Sequence, residues 1–154
     1  QIDEQFDGHI VQLYLWDTAG QEQFNSVVPY YCREARVAVI VASLTDASSI
    51  KELDKWNRLC DESNDHPFVI VAINKIDIAP EETLNSVRDQ IQEKFNTFFF
   101  VSAKSGNGID ELFSSIAQYI YLRNISTEEH PDVAYAVRIS EQTNEDENQR
   151  RECC

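Results

Sequence analysis

Four near-continuous apolar runs, Ile10 to Trp16, Val37 to Leu44, Phe68 to Ile73 and Phe98 to Val101, set the terms on which this chain can fold. Runs of Val, Ile and Phe suit strands buried on both faces, as in a parallel sheet covered by helices. Between and after them, apolar residues recur at helical spacing. Ser49 to Cys60 carries Ile50, Leu53, Trp56 and Leu59, and Glu81 to Phe95 carries Leu84, Val87, Ile91 and Phe95. Ile109 to Leu122 carries Leu112, Ile116 and Ile120, with Phe113 and Tyr119 beside them. Strand–helix alternation of this kind predicts right-handed βαβ units and a doubly wound α/β sheet. At the amino-terminal side, Ile2 to Phe6, the turn Asp7-Gly8 and Ile10 to Trp16 predict an antiparallel hairpin. Asp46 or Ser48 is suited to cap the first helix, and Pro80 with Glu81 and Glu82 suits the opening turn of the second. Gly106 and Gly108 loosen the loop before the third.

The 154 residues give room for one domain. From Thr127 to Cys154 the pattern fails, and Glu, Asp, Asn, Gln, Arg and Ser dominate. Residues 126–154 therefore read as a flexible acidic tail behind a domain over 1–125, with weak alternation at Val133 to Ile139 that suits a short ordered patch. The net charge of −14 argues against nucleic-acid binding, which needs clustered Lys and Arg. No run of 18 apolar residues predicts a membrane-spanning helix. No basic-then-apolar leader is visible, although the sequence begins at Gln1 and holds no Met, so a removed leader would leave no trace. Cys32 and Cys60 stand singly in apolar or helical surroundings, where a buried free thiol is the ordinary state, and the chain reads as cytosolic and reduced.

Three short motifs each follow a predicted strand, at the carboxyl edge where open α/β sheets bind ligands. The first is Trp16-Asp17-Thr18-Ala19-Gly20-Gln21-Glu22. A carboxylate and a glycine turn at a strand end suit a terminal phosphate and its Mg²⁺. Asp17 suits Mg²⁺ held through water, because Mg²⁺ gives up its waters reluctantly. Gly20 lets a backbone N–H approach a phosphate with no Cβ in the way. The second motif is Asn74-Lys75-Ile76-Asp77, and the third is Ser102-Ala103-Lys104.

In this order, the three motifs resemble the nucleotide-binding elements of the Ras superfamily of small GTPases. Gln12-Leu13-Tyr14-Leu15-Trp16 and Tyr31-Cys32-Arg33-Glu34-Ala35 are similar to Rab-family patterns, departing at Cys32, at Glu34 and at Ser43. The resemblance spans about Ile2 to Leu122, plus the terminal Cys153-Cys154. It implies a P-loop NTPase-like small G domain that binds GTP or GDP with Mg²⁺, hydrolyses GTP and regulates vesicle traffic. Asp17, Thr18, Ala19, Gly20 and Gln21 would then face the phosphates, with Asp17 toward the metal and Gln21 orienting the attacking water. Asn74, Lys75, Asp77, Ser102, Ala103 and Lys104 would hold guanine. Asp77 would accept from N1–H and the N2 amino group, a donor pair that adenine lacks. Phe24, Val27, Val28, Tyr30 and Tyr31 would form the segment read by effectors, or else pack on the neighbouring helix.

Cys153-Cys154 resembles the Rab double-geranylgeranylation signal, where two lipids anchor firmly and one only marginally. Arg150 and Arg151 precede it, but Glu145, Asp146, Glu147 and Glu152 surround them, so no polybasic patch assists the lipids. The resemblance further implies the cytosolic face of endomembranes. Implied partners are an exchange factor, a GTPase-activating protein, an escort protein with its geranylgeranyl transferase, a dissociation inhibitor and effectors.

The pattern is incomplete. None of the glycines, Gly8, Gly20, Gly106 and Gly108, is followed by Lys, so the Gly-rich phosphate loop of the family does not occur. The fold expected is a doubly wound sheet lacking its first strand, P-loop and first helix. In the family that strand lies between those at Ile10–Trp16 and Val37–Leu44. Its loss predicts open edges, exposed apolar faces and poor nucleotide binding. The rival expectation is a non-catalytic remnant that only binds partners.

Overall fold

The computed structural model describes residues 1–19, 28–63, 65–127 and 134–140. Strand β1 (Ile2–Phe6) pairs antiparallel with β2 (His9–Ala19), from Ile2↔Leu13 to Phe6↔His9. Asp7 and Gly8 join them at φ 49° and 77°, the two left-handed positions that a two-residue hairpin turn needs. After β2 come α1 (Val28–Cys32), β3 (Val37–Ser43), α2 (Ala47–Asp61), β4 (Phe68–Asn74) and α3 (Glu81–Gln92). Then follow β5 (Phe98–Phe100), α4 (Ile109–Thr127) and β6 (Ala134–Ser140).

The six strands lie in the order β1-β2-β6-β3-β4-β5, and every pair beyond the hairpin is parallel. Alternate residues of the central strands feed opposite faces of the sheet. On one face Ala38, Ile40 and Ala42 of β3 and Val71 and Ile73 of β4 pack with α1, α2 and α3. On the other, Leu13, Val37, Val39, Ile70 and Ala72 pack with Leu112, Ile116 and Ile120 of α4. This is the doubly wound arrangement expected, and it explains why the runs at 37–44 and 68–73 carry no polar alternation.

The helix ends have local causes. The Asp46 carboxylate caps α2, accepting from the Ser48 N–H at 2.9 Å and the Ser48 hydroxyl at 2.6 Å. Glu81 and Glu82 occupy the first turn of α3, which ends at Gln92, short of the expected Phe95. There the N–H groups of Lys94 and Phe95 both donate to the Ile91 carbonyl and close the helix. Helix α1, with five residues, has no counterpart in the periodic pattern.

The largest difference from expectation is β6. It arises within the segment read as a tail and runs between β2 and β3, from Leu13↔Ala134 to Ala19↔Ser140 on one side and from Val37↔Ala136 to Val41↔Ser140 on the other. The gap expected at the centre of the sheet is thus filled from within the chain. Two unpaired parallel edges invite a strand, and Tyr135, Val137 and Ile139 supply the β-branched and aromatic content that strands favour.

Candidate functional site

The parallel strands deliver their carboxyl ends to one edge. The register pairs Ser43↔Asn74 and Ile73↔Phe100 bring the ends of β3, β4 and β5 nearly level, while Ala19↔Ser140 and Val41↔Ser140 end β2 and β6 two residues short of β3. Asn74 and Ser102 sit at or just beyond that edge, whereas Asp17 lies two residues inside the end of β2, level through Arg138 with Val39 and Ile70. Three inter-strand steps separate β2 from β4, roughly 14 Å at about 4.8 Å per step.

The loops after β4 and β5 are bound into one unit. Asn74 Oδ1 accepts from the Lys75 N–H at 2.8 Å and, across the gap between loops, from the Ala103 N–H at 3.0 Å. The first of these bonds supports Lys75 at φ 69°, a left-handed conformation uncommon for a side-chain-bearing residue. The Ile76 N–H reaches the Val101 carbonyl at 3.3 Å. Ser102 is fully buried, and each of its polar groups has a partner. Its N–H donates to the Asn107 carbonyl at 2.8 Å, and its carbonyl accepts from the Gly106 N–H at 2.8 Å. Its hydroxyl accepts from the Ser105 N–H at 3.1 Å and donates to Asp77 Oδ1 at 2.7 Å.

Asp77 is exposed, so its carboxylate faces outward while Ser102 aims it from below. That hydrogen bond holds the Asp77 carboxyl below its usual range, with a smaller contribution from the Lys104 charge. An ionised, aimed carboxylate beside an outward-facing loop is an acceptor for a pair of N–H donors. Lys75 is partly covered, and Lys104 is exposed.

Sequence reasoning missed Ser105, Asn107 and Gly108 as supports of this loop. Gly108 takes φ +73°, and a Cβ there would lie 2.6 Å from the Phe100 carbonyl oxygen. The signal was the pair Gly106 and Gly108, read only as a loose loop; both hold positive φ that fixes its path.

On β2, Asp17 is exposed and Thr18 buried. A single exposed carboxylate near the end of a strand is a donor that fits a cation keeping its own waters. Ala19 ends β2; Gly20, Gln21, Phe24 and Val27 lie outside the described residues, as do Cys153 and Cys154. Of the apolar residues that follow, Val28 is buried in the core beside α2, while Tyr30 is 73 % exposed. The packing reading thus holds for Val28, while Tyr30 stays open to solvent. Leu15 and Trp16 on β2 are exposed as well.

Residues 2–122 match the family model described as Ras family. The chain belongs to the Ras family. The Ras-family chain is 33 % identical over 135 residues to "GTP-binding protein ypt5" of Schizosaccharomyces pombe, covering 85 % of this chain and 64 % of that protein. It is 36 % identical over 111 residues to "Putative ras-related protein Rab-5B" of Dictyostelium discoideum, covering 70 % of this chain and 52 % of that relative. The chain thus spans between half and two thirds of the length of these relatives. The matched region runs from β1 into α4, so the Ras-family likeness covers both motif-bearing loops and Asp17.

Proposed function

We propose that this chain is the base-recognising body of a Rab-like GTPase that binds GTP and GDP and regulates intracellular vesicle traffic. The observation that carries the reading is the unit formed by Asn74, Asp77, Ser102 and Ala103, with Asp77 aimed outward by a buried serine. Its chemistry fits guanine: the carboxylate accepts from N1–H and the N2 amino group, the Ala103 backbone stands beside the O6 position, and the Lys75 and Lys104 stems flank the base. Adenine would leave the carboxylate without its donor pair. Mg²⁺, when bound with the nucleotide, neutralises phosphate charge. Asp17 would hold it through water, Thr18, Ala19 and Gly20 would line the phosphates, and Gln21 would orient the attacking water in a protein that also carries a phosphate loop.

Support for a Rab-type role comes from the named relatives and from the exposed Leu15, Trp16, Tyr30 and Tyr31, which suit contact with effectors. Cys153 and Cys154 would carry two geranylgeranyl groups, added with an escort protein and transferase, and dock the protein on the cytosolic face of endomembranes. An exchange factor, a GTPase-activating protein and a dissociation inhibitor would complete the cycle.

The deciding experiment is equilibrium binding of a fluorescent GDP analogue to the purified chain in Mg²⁺, with GDP and ADP as competitors. Weak but saturable binding, displaced by GDP and not by ADP, is expected, because no Gly-Lys phosphate loop is present to add to the base contacts. Displacement by both, or binding of neither, would defeat the guanine assignment.

A second reading, partner binding without turnover, is favoured by one observation. Strand β6 holds the position between β2 and β3, and the sequence that follows it from Glu141 contains no glycine to form a phosphate-cradling loop. Capture of an escort protein regardless of nucleotide, with no guanine binding, would establish it.

A further inference from the structure

Cys32 and Cys60 place their sulfurs 3.3 Å apart in the core, both at 0 % exposure. Cys32 is the last residue of α1, and Cys60 is the penultimate residue of α2. Helix ends open more readily than helix centres, so a buried pair at two helix ends is within reach of small oxidants through local fraying. Cys32 also marks one of the chain's departures from the Rab-like pattern in Tyr31-Cys32-Arg33-Glu34-Ala35. The two thiols are inequivalent. The hydrogen bond with Cys60 draws the Cys32 thiol below its ordinary range, against the upward push of burial. Cys60 is pushed far up by that same hydrogen bond, by burial and by the nearby Cys32 and Asp61. Cys32 closes the five-residue α1, the shorter and more readily frayed of the two helices, and is the thiol that meets the oxidant and attacks.

We propose that Cys32 and Cys60 form a reversible disulfide that fastens α1 to α2 when the protein meets a peroxide. In the first step the Cys32 thiolate attacks one peroxide oxygen, the O–O bond breaks, and sulfenic acid forms as the other oxygen leaves as water. In the second step the Cys60 sulfur attacks the Cys32 sulfur, the S–O bond breaks and a second water leaves. Two thiols and one hydrogen peroxide thus become one disulfide and two waters. The sulfurs must close by about 1.2 Å to reach the ordinary bond length. A short helix packed on the end of α2 moves that far more easily than a strand in the sheet. The bond would fix α1, which directly follows residues 20–27, on the body of the domain. Dithiothreitol or a cellular dithiol would reverse it.

The test uses the full chain with Cys153→Ser and Cys154→Ser, so that tail thiols do not compete. After hydrogen peroxide and alkylation in denaturant, intact mass should fall by two hydrogens with neither remaining cysteine alkylated. An unreduced digest should hold a peptide linking Cys32 to Cys60, and dithiothreitol should restore both alkylation sites. Amide exchange in α1 should slow several-fold in the oxidised form. Cys60→Ser in the same background should stop at a sulfenic acid on Cys32 that dimedone captures. Full alkylation of both cysteines after oxidation, sulfinic acid without a linked peptide, or a Cys60→Ser variant whose Cys32 stays unreactive would each overturn the proposal.

Discussion

Ser102 donates its hydroxyl proton to Asp77 across 2.7 Å, joining two loops whose sequence positions differ by 25. A buried hydroxyl aims an exposed carboxylate, so under the proposed guanine assignment recognition at the surface would depend on a side chain buried beneath it. Ser102→Ala should therefore weaken guanine-nucleotide binding by about tenfold, the value of one well-placed hydrogen bond to a charged group. The Ser105 N–H loses its acceptor in the same step. Titration with fluorescent GDP reads the change, and unaltered affinity would remove Ser102 from the recognition scheme.

Asp77→Asn exchanges a double acceptor for one acceptor and one donor. Xanthine presents a carbonyl where guanine presents its N2 amino group, so the variant should prefer xanthosine diphosphate. A reversal of roughly a hundredfold or more is expected from leaving a donor pair mismatched. Competition between the two diphosphates on wild type and variant decides it.

Gly108→Ala should loosen the same loop from a different side. The added Cβ meets the Phe100 carbonyl at 2.6 Å, and φ +73° is strained for any residue with a side chain. The melting midpoint should fall, and amide exchange at Ser102, Ser105 and Gly106 should quicken. Unchanged exchange there would mean the loop does not depend on Gly108.

Acid should expose the cap of α2. The Ser48 hydroxyl and N–H hold the Asp46 carboxyl below its ordinary value of 3.8. A depressed folded value means the stabilisation is complete above about the unfolded carboxylate value and is lost as pH falls through the lower folded one. Asp46→Ala should cost about 1 kcal/mol at neutral pH. The gap between variant and wild type should narrow below pH 3.8. Melting curves across the acid range test both statements, and a gap independent of pH would refute the second.

Val137 lies in register with Trp16 on one side and Ala38 on the other. Val137→Pro removes a ladder donor from the middle of the sheet, where proline is scarcely tolerated. Amide exchange at Leu13–Ala19 and Val37–Val41 should rise together, and the melt should shift down by several degrees. If exchange in β2 and β3 does not respond, β6 is not what joins them.

The parts of the fold legible in the sequence were those whose cause is local. Val37 to Ser43 and Phe68 to Asn74 are apolar on both faces because helices cover both, and Asp7-Gly8 supplies the two left-handed residues of a hairpin. Helix α1 is too short to show a period, and what holds it is the burial of Val28 and Cys32 against α2. Strand β6 escaped for another reason. Its seven residues alternate weakly, include Arg138 and stand in polar surroundings, and what fixes them is a pair of open edges more than 90 residues away in sequence. At the candidate site, the side chains that join the two loops, Asn74, Asp77 and Ser102, were legible. The backbone of Asn107 that holds Ser102 was not, because a carbonyl leaves no mark on residue type.

Strand β6 also fixes an order of events as the chain is made. The hairpin β1–β2 and the trio β3, β4 and β5 are made before β6, and among the described residues they do not pair with each other. They become one sheet only after α4 and then residues 134–140 have been synthesised. Non-local parallel pairing is slow to form, and half-built sheets with open edges are prone to aggregate. The nascent chain therefore passes through a stage in which its two halves hang on separate edges, and chaperone dependence should be concentrated there.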